Sequence, residues 1–307
     1  MLTRMFKYFV IISVAFAALV LVLNFTYSKD IELPATASGK HVLVNGIELR
    51  VQQVGTGPDV LLIHGSIGSL EDFETVLPLL KGYRVTLLDR IGHGYSDMSP
   101  ESANIATNAI YTAALIEALQ LKNVIVVGHS YGGSVALKMA IEQTPNIKAL
   151  VLIAPASKPD ETRAIEHLFT NKFYGLGLLR ILRPLIAEDM LRDGLLNSLK
   201  PNLENVTDNF VETRLSLWNN SGILYTRTQQ TAVVTNELRD MQSQYASIKI
   251  PTTILLGEQE IHEDIYVGSQ ELSVAIPGSQ LRLITGAGHY LQYKDPEAVS
   301  TAIKQIK

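Results

Sequence analysis

Asn123-Val124-Ile125-Val126-Val127-Gly128-His129-Ser130-Tyr131-Gly132-Gly133 runs from an unbroken apolar stretch into a glycine-rich turn, and Ser134-Val135-Ala136-Leu137-Lys138-Met139-Ala140 after it reads as a buried helix. A short continuous apolar run closed by a turn is the pattern of a strand buried on both faces. Strand, turn and helix in that order put Ser130 at the bend. Side chains at Gly128 or Gly132 would crowd the strained backbone that carries its hydroxyl into the open. The bland alternative is a glycine-rich turn bearing a surface serine, since G-x-S-x-G alone is a loose pattern. The flanking strand and helix favour the nucleophile elbow.

The same alternation continues along the chain. His41-Val42-Leu43-Val44 and Ile47-Glu48-Leu49-Arg50-Val51 flank Asn45-Gly46, which predicts an opening antiparallel hairpin. Apolar runs follow at Val60 to Ile63, Val85 to Leu88, Val124 to Val127, Ala149 to Ile153, Thr253 to Leu256 and Leu281 to Ile284. Between them lie helical patterns at Glu71 to Leu80, Ala106 to Leu121, Tyr131 to Gln143, Ile265 to Ala275 and Glu297 to Ile306. This predicts the α/β class, with a mostly parallel sheet covered by helices on both faces. Between Ser157 and Ser247 the strands lapse, and helix-like stretches take over at Glu161 to Phe169, Leu178 to Ile186 and Asp208 to Trp218. Residues 157–247 are therefore expected to form a helical cap over the strand ends, inserted into a core of residues 41–156 and 248–307.

At 307 residues the chain can bury a large core. Its 26 basic and 30 acidic residues form no long run of either sign, which argues against a nucleic-acid partner. Without cysteine there are no disulfides, thiolate metal sites or cysteine nucleophile.

Arg4 and Lys7 precede an uncharged, mostly apolar stretch from Tyr8 to Tyr27, about the span that a bilayer needs. A small-x-small site, Ala35-Thr36-Ala37, lies well past Leu23 rather than at the end of the run. Residues 1–27 are read as an uncleaved N-terminal transmembrane anchor, and 28–40, with Pro34 and Gly39, as a linker. The basic flank then stays cytoplasmic and the catalytic domain lies outside the cytoplasm. A cleaved signal, giving a secreted or periplasmic domain, is the alternative, and a buried soluble helix the third.

In a parallel sheet, ligands bind beyond the carboxyl ends of the strands. The loops expected there carry His64-Gly65-Ser66-Ile67-Gly68, Asp89-Arg90-Ile91-Gly92-His93-Gly94-Tyr95-Ser96, Ser130, and Gly286-Ala287-Gly288-His289. In order and strand context these motifs resemble the α/β-hydrolase superfamily, over nearly everything from Lys40 to Lys307 except the insertion. The resemblance implies Ser130 as nucleophile, His289 as general base, and the backbone N–H groups of Ser66 and Tyr131 as oxyanion hole. The chemistry fits those roles. A serine hydroxyl attacks only when a base takes its proton, and the developing oxyanion needs fixed donors.

The family usually places an aspartate three residues after the glycine that ends the penultimate strand. Here Gly257 is followed at that distance by Glu260, with Asp264 as the alternative acid if the loop is shifted. His64, His93 and His129 are read as structural, while His41, His167 and His262 form no ligand pattern. No metal or cofactor is expected.

A serine nucleophile also sets the chain apart from haloalkane dehalogenases and epoxide hydrolases, relatives that usually attack with aspartate. The function read from the sequence is hydrolysis of small to medium carboxylic esters through an acyl-enzyme, with an apolar small-molecule substrate. Hydrolysis of a carbon–carbon bond, an amide or a lactone is the alternative within the fold. From a different functional class, the alternative is that the same fold serves as a non-hydrolytic acyltransferase or a ligand receptor. Trp218, Phe169 and Phe173 are candidate pocket-lining residues, with packing inside the insertion as their other role.

Overall fold

The structure is a computed structural model of the chain that describes residues 2–25, 38–98, 103–159, 170–171, 173–182 and 188–306. Strands β1 (Lys40–Val44) and β2 (Ile47–Val54) form the expected hairpin, whose turn residues Asn45 and Gly46 take φ of 49° and 80°. A two-residue turn of this hand requires positive φ at both positions. Strands β3 (Asp59–Ile63), β4 (Arg84–Leu88), β5 (Val124–His129), β6 (Ile147–Ile153), β7 (Thr252–Gly257) and β8 (Gln280–Ile284) complete a sheet ordered β1-β2-β4-β3-β5-β6-β7-β8. β2 pairs antiparallel with both neighbours, and every later pairing is parallel.

Side chains alternate across a strand, so one apolar run feeds two cores. Leu61, Ile63, Val124 and Val126 pack with Ala109 and Leu115 of helix α2 (Ile105–Ala118) and with Val135 and Leu137 of α3 (Tyr131–Ile141). Val60, Leu62, Ile125 and Val127 face the other way, into a core shared with Phe73, Leu291, Val299 and Ile303. The helices after β7 and β8 are α8 (Glu263–Ala275), α9 (Leu291–Lys294) and α10 (Pro296–Lys304). In place of the helix expected over Glu71 to Leu80 there are two 3₁₀ turns, Leu70–Phe73 and Leu77–Leu79. Pro78 has no N–H to donate and its ring clashes with a preceding helical turn, so one continuous helix cannot form.

Between β6 and β7 lie helices α4 (Gly175–Leu182), α5 (Glu188–Leu199), α6 (Asp208–Trp218) and α7 (Ser221–Gln242). The expected helix at Asp208 to Trp218 is α6, whereas the one expected from Leu178 begins three residues earlier as α4, and the expected residues 183–186 lie outside the described residues. The stretch from Glu161 to Phe169, most of the 28–40 linker and Ala35-Thr36-Ala37 lie outside the described residues. The 22-residue α7 was not expected as a helix, because its Thr- and Gln-rich sequence has little apolar period. Asn220 caps it, accepting from the N–H groups of Gly222 and Ile223. Tyr225, Val234, Leu238 and Met241 bury one side of it.

The N-terminal stretch forms helix α1 (Leu2–Phe25), long and apolar enough over Arg4–Phe25 to cross a membrane. Most of its side chains are exposed, but Val20 and Asn24 are buried against α4.

Candidate active site

Ser130 stands between β5 and α3 with φ 51° and ψ −118°, a conformation that costs a residue with a side chain about 1–3 kcal/mol. The strand and helix on either side hold it there. Its N–H donates to Ile153 O (2.9 Å), and its carbonyl accepts from the N–H groups of Gly133 (2.9 Å) and Ala156 (3.1 Å). A Cβ on Gly128 would run into the Gly132 carbonyl, and one on Gly132 into the Ile63 and His64 carbonyls. Both glycines are required by contact.

The loop after β3 comes to the same point. A Cβ on Gly65 would lie 3.1 Å from that of Ser130. Ser66 and Tyr131 border one cavity with Ser130, and among the described residues neither of their backbone N–H groups has an acceptor. Buried Arg90 fixes this loop by donating to His64 O (3.0 Å) and Gly65 O (2.8 Å), with its guanidinium 4.7 Å from the centre of the Tyr131 ring. Burial lowers the guanidinium pKa to about 10.

His64 bridges Gly65 O (2.8 Å) and the Arg90 N–H (2.9 Å), so its Nδ1 donates and its Nε2 accepts. His93 bonds Ile91 O (3.1 Å) within its own loop, and His129 bonds His289 O (3.1 Å). Burial holds all three imidazoles well below the usual histidine range, which suits uncharged structural rings.

His289 follows β8, in a loop where Gly286 takes φ 70°. Its Nδ1 lies 2.6 Å from Oε2 of Glu260, whose other oxygen accepts from the His262 N–H at 3.0 Å. Burial alone would raise the Glu260 carboxyl. The facing His289 imidazole, its hydrogen bond and the His262 N–H outweigh burial and bring the carboxyl below its ordinary range. Asp264 borders the cavity but forms no hydrogen bond to His289 among the described residues. Nor does the Ser130 hydroxyl form one there. Catalytic hydrogen bonds are often long before substrate binds.

The cavity is small, about 220 Å³, and is lined both by loops at the strand ends and by helices α5, α6 and α7. Trp218 borders it, Phe173 is exposed away from it, and Phe169 lies outside the described residues. Arg227, Gln230 and Val234 of α7 also line it, and nothing in their local sequence announced this. Contacts from the helices between β6 and β7 to the loops after β3 and β8 were likewise unforeseen. Arg214 and Trp218 of α6 both donate to Ile67 O (2.8 and 2.9 Å), and Arg214 forms a buried ion pair with Asp72. Asn202 accepts from the Gly288 N–H (3.0 Å) and donates to Gly286 O (2.9 Å), clamping the loop of His289.

His262 departs from its sequence reading. Its ring centre is 4.9 Å from that of His289, and Glu260, His262 and His289 offer donor atoms within 4.8 Å of one another, a grouping that could hold a cation. The glutamate–histidine contact already occupies two of those donors.

A mostly parallel eight-stranded sheet with a serine at the elbow after β5 and a histidine after β8 defines a hydrolase architecture. The alpha/beta hydrolase fold family model matches residues 58–296, and the chain belongs to that family. It is 27% identical over 267 residues to the AB hydrolase superfamily protein YisY of Bacillus subtilis, covering 85% of this chain and 95% of that protein. Over 121 residues it is 33% identical to a 2-hydroxy-6-oxo-2,4-heptadienoate hydrolase of Pseudomonas putida, covering 38% of this chain and 44% of that enzyme. Among solved structures, a thermophilic esterase from Thermogutta terrifontis superposes with a TM-score of 0.70 at 22% identity, covering 88% of this chain and 97% of that one.

Proposed function

We propose that the protein is a membrane-anchored serine hydrolase that cleaves small to medium carboxylic esters. The carrying observation is the 2.6 Å contact of Glu260 with His289 beside the cavity that Ser130 borders. In this reading His289 takes the Ser130 proton as the hydroxyl attacks the ester carbonyl, and then returns it to the leaving alkoxide. The N–H groups of Ser66 and Tyr131 hold the oxyanion, and Glu260 fixes the tautomer of His289 and stabilises its charged form. Water then repeats the sequence on the acyl-enzyme.

The size of the cavity supports substrates of modest length, since drug-sized ligands occupy pockets of about 300–1,000 Å³. Residues 157–247 serve as the cap that shapes this cavity, and α1 serves as the anchor, with the core outside the cytoplasm. Fluorophosphonate labelling of the purified chain, followed by a panel of esters of graded acyl length, tests the assignment. Labelling without turnover of any ester would remove the esterase reading.

Hydrolysis of a carbon–carbon bond is a second reading, supported by the local identity to the Pseudomonas putida enzyme. A vinylogous 1,5-diketone acid assayed beside the esters separates the two.

A further inference from the structure

Helix α1 meets the rest of the protein near its C-terminal end. Val20 and Asn24 are buried at 5% and 9% exposure, while Phe6, Phe9, Ile12 and Phe25 remain about two-thirds exposed. The buried pair sits against α4 of the cap. The Gly177 N–H donates to Asn24 Oδ1 (3.2 Å), and Arg180 donates to the carbonyl of Leu23. A Cβ on Gly177 would strike the Val20 carbonyl, so the two backbones meet where only glycine allows it.

Depth follows from helix geometry. With Lys7 at the cytoplasmic boundary and a rise of 1.5 Å per residue, Val20 lies about 20 Å and Asn24 about 26 Å along the axis, both inside a hydrocarbon layer of about 30 Å. With α1 as the proposed anchor, what packs on Val20 falls within the outer part of the bilayer. The exposed side chains beside this contact suit that depth. Phe173 and Tyr174, just before α4, are 55% and 37% exposed, and tyrosine is enriched at the membrane interface. The opposite side of α4 belongs to the protein, since Leu176 and Leu179 pack on Tyr225 of α7.

We propose that α4 is an interfacial helix, sunk into the outer leaflet by its contact with α1, so that the partner of the cap is a phospholipid bilayer and the substrate is an acyl ester dissolved in it. This rests on the anchored reading of α1. α4 packs on α7, and α7 supplies Arg227, Gln230 and Val234 to the cavity wall, so lipid lies two helices from Ser130. An ester partitioned into lipid reaches the cap without crossing bulk water.

The chain has no cysteine, so one introduced thiol labels one place. The full-length protein is reconstituted in phosphatidylcholine vesicles with a fluorophore on Tyr174→Cys or, as control, on Val274→Cys. Val274 is 87% exposed near the end of α8, and α8 runs back from the catalytic end of the sheet. Spin-labelled phospholipid should quench the probe at position 174 and leave the one at 274 bright. Adding Gly177→Leu, which forces α1 and α4 apart, should abolish the quenching at 174. It should also raise KM several-fold for an ester dissolved in the vesicles while leaving turnover of a water-soluble ester unchanged. That last measurement reports an intact site.

Flotation with the vesicles is scored separately. A chain that does not float overturns the anchor and this inference together. A chain that floats with both probes equally bright, or with quenching unaffected by Gly177→Leu, overturns the inference and leaves the anchor standing.

Discussion

Glu260 and His289 meet through Oε2 and Nδ1 at 2.6 Å, while Asp264, on the wall of the same cavity, makes no such contact among the described residues. Glu260→Gln is expected to lower ester turnover by up to about 10⁴-fold, because the histidine loses both its orienting acceptor and its counter-charge. Asp264→Asn should cost far less, and Glu260→Asp should restore part of the loss if the shorter side chain still reaches. Steady-state kinetics on the three variants checks the order. A crippled Asp264→Asn beside a nearly normal Glu260→Gln would transfer the role to Asp264.

The same contact has a pH signature. The folded-state pKa of Glu260 is depressed, so the stability it contributes is present above its unfolded value of about 4.3 and is lost as pH falls through the lower folded value. The difference in Tm between wild type and Glu260→Gln should therefore be greatest near neutrality and shrink on acidification, as measured by thermal melts between pH 3 and 7. A difference that grows toward acid would contradict the depressed value.

Ser130→Ala should abolish fluorophosphonate labelling while leaving the circular dichroism spectrum unchanged. Labelling that persists in this variant would take Ser130 out of the mechanism.

Arg214 and Asp72 are both almost wholly buried, at 1% and 0% exposure, and join α6 to the 3₁₀ turn beyond the Ser66 loop. Arg214→Met leaves a buried carboxylate without its partner and is expected to cost about 3–5 kcal/mol in stability. Arg214→Met combined with Asp72→Leu should recover much of that. Urea denaturation of the single and double variants provides the comparison, and equal losses in both would show that the pair is not what the first substitution breaks.

Alkaline phosphatase fused after Lys40 is expected to be active outside the cytoplasm in a bacterial host, with the chain retained in the membrane fraction after carbonate extraction. Activity from a cytoplasmic reporter at the same junction would reverse the topology. A mature chain beginning near Ser38 would replace the anchor with a cleaved signal.

Much of the sheet was legible in the sequence because its strands are buried on both faces and leave unbroken apolar runs. The elbow was legible because Gly128 and Gly132 are demanded by backbone contacts within a few residues and from β3. The Glu260 position could be counted from Gly257. What stayed hidden depends on approach between distant segments. Asn202 holds the loop of His289, and Trp218 holds Ile67 from 151 residues away, and no local pattern records either contact. α7 escaped because Thr and Gln occupy positions where an amphipathic helix would show apolar residues. His262 escaped because its neighbourhood to His289 is created by two loops that the sheet brings side by side.

With Ser130 as the proposed nucleophile, its left-handed backbone sets sturdiness against reactivity. Glycine at that position would relax the bend and drop the hydroxyl, giving a tougher molecule that lacks the proposed nucleophile. Selection for robustness alone would therefore erode the reaction at its first residue, and a descendant freed from its substrate would gain heat tolerance by the very change that silences it.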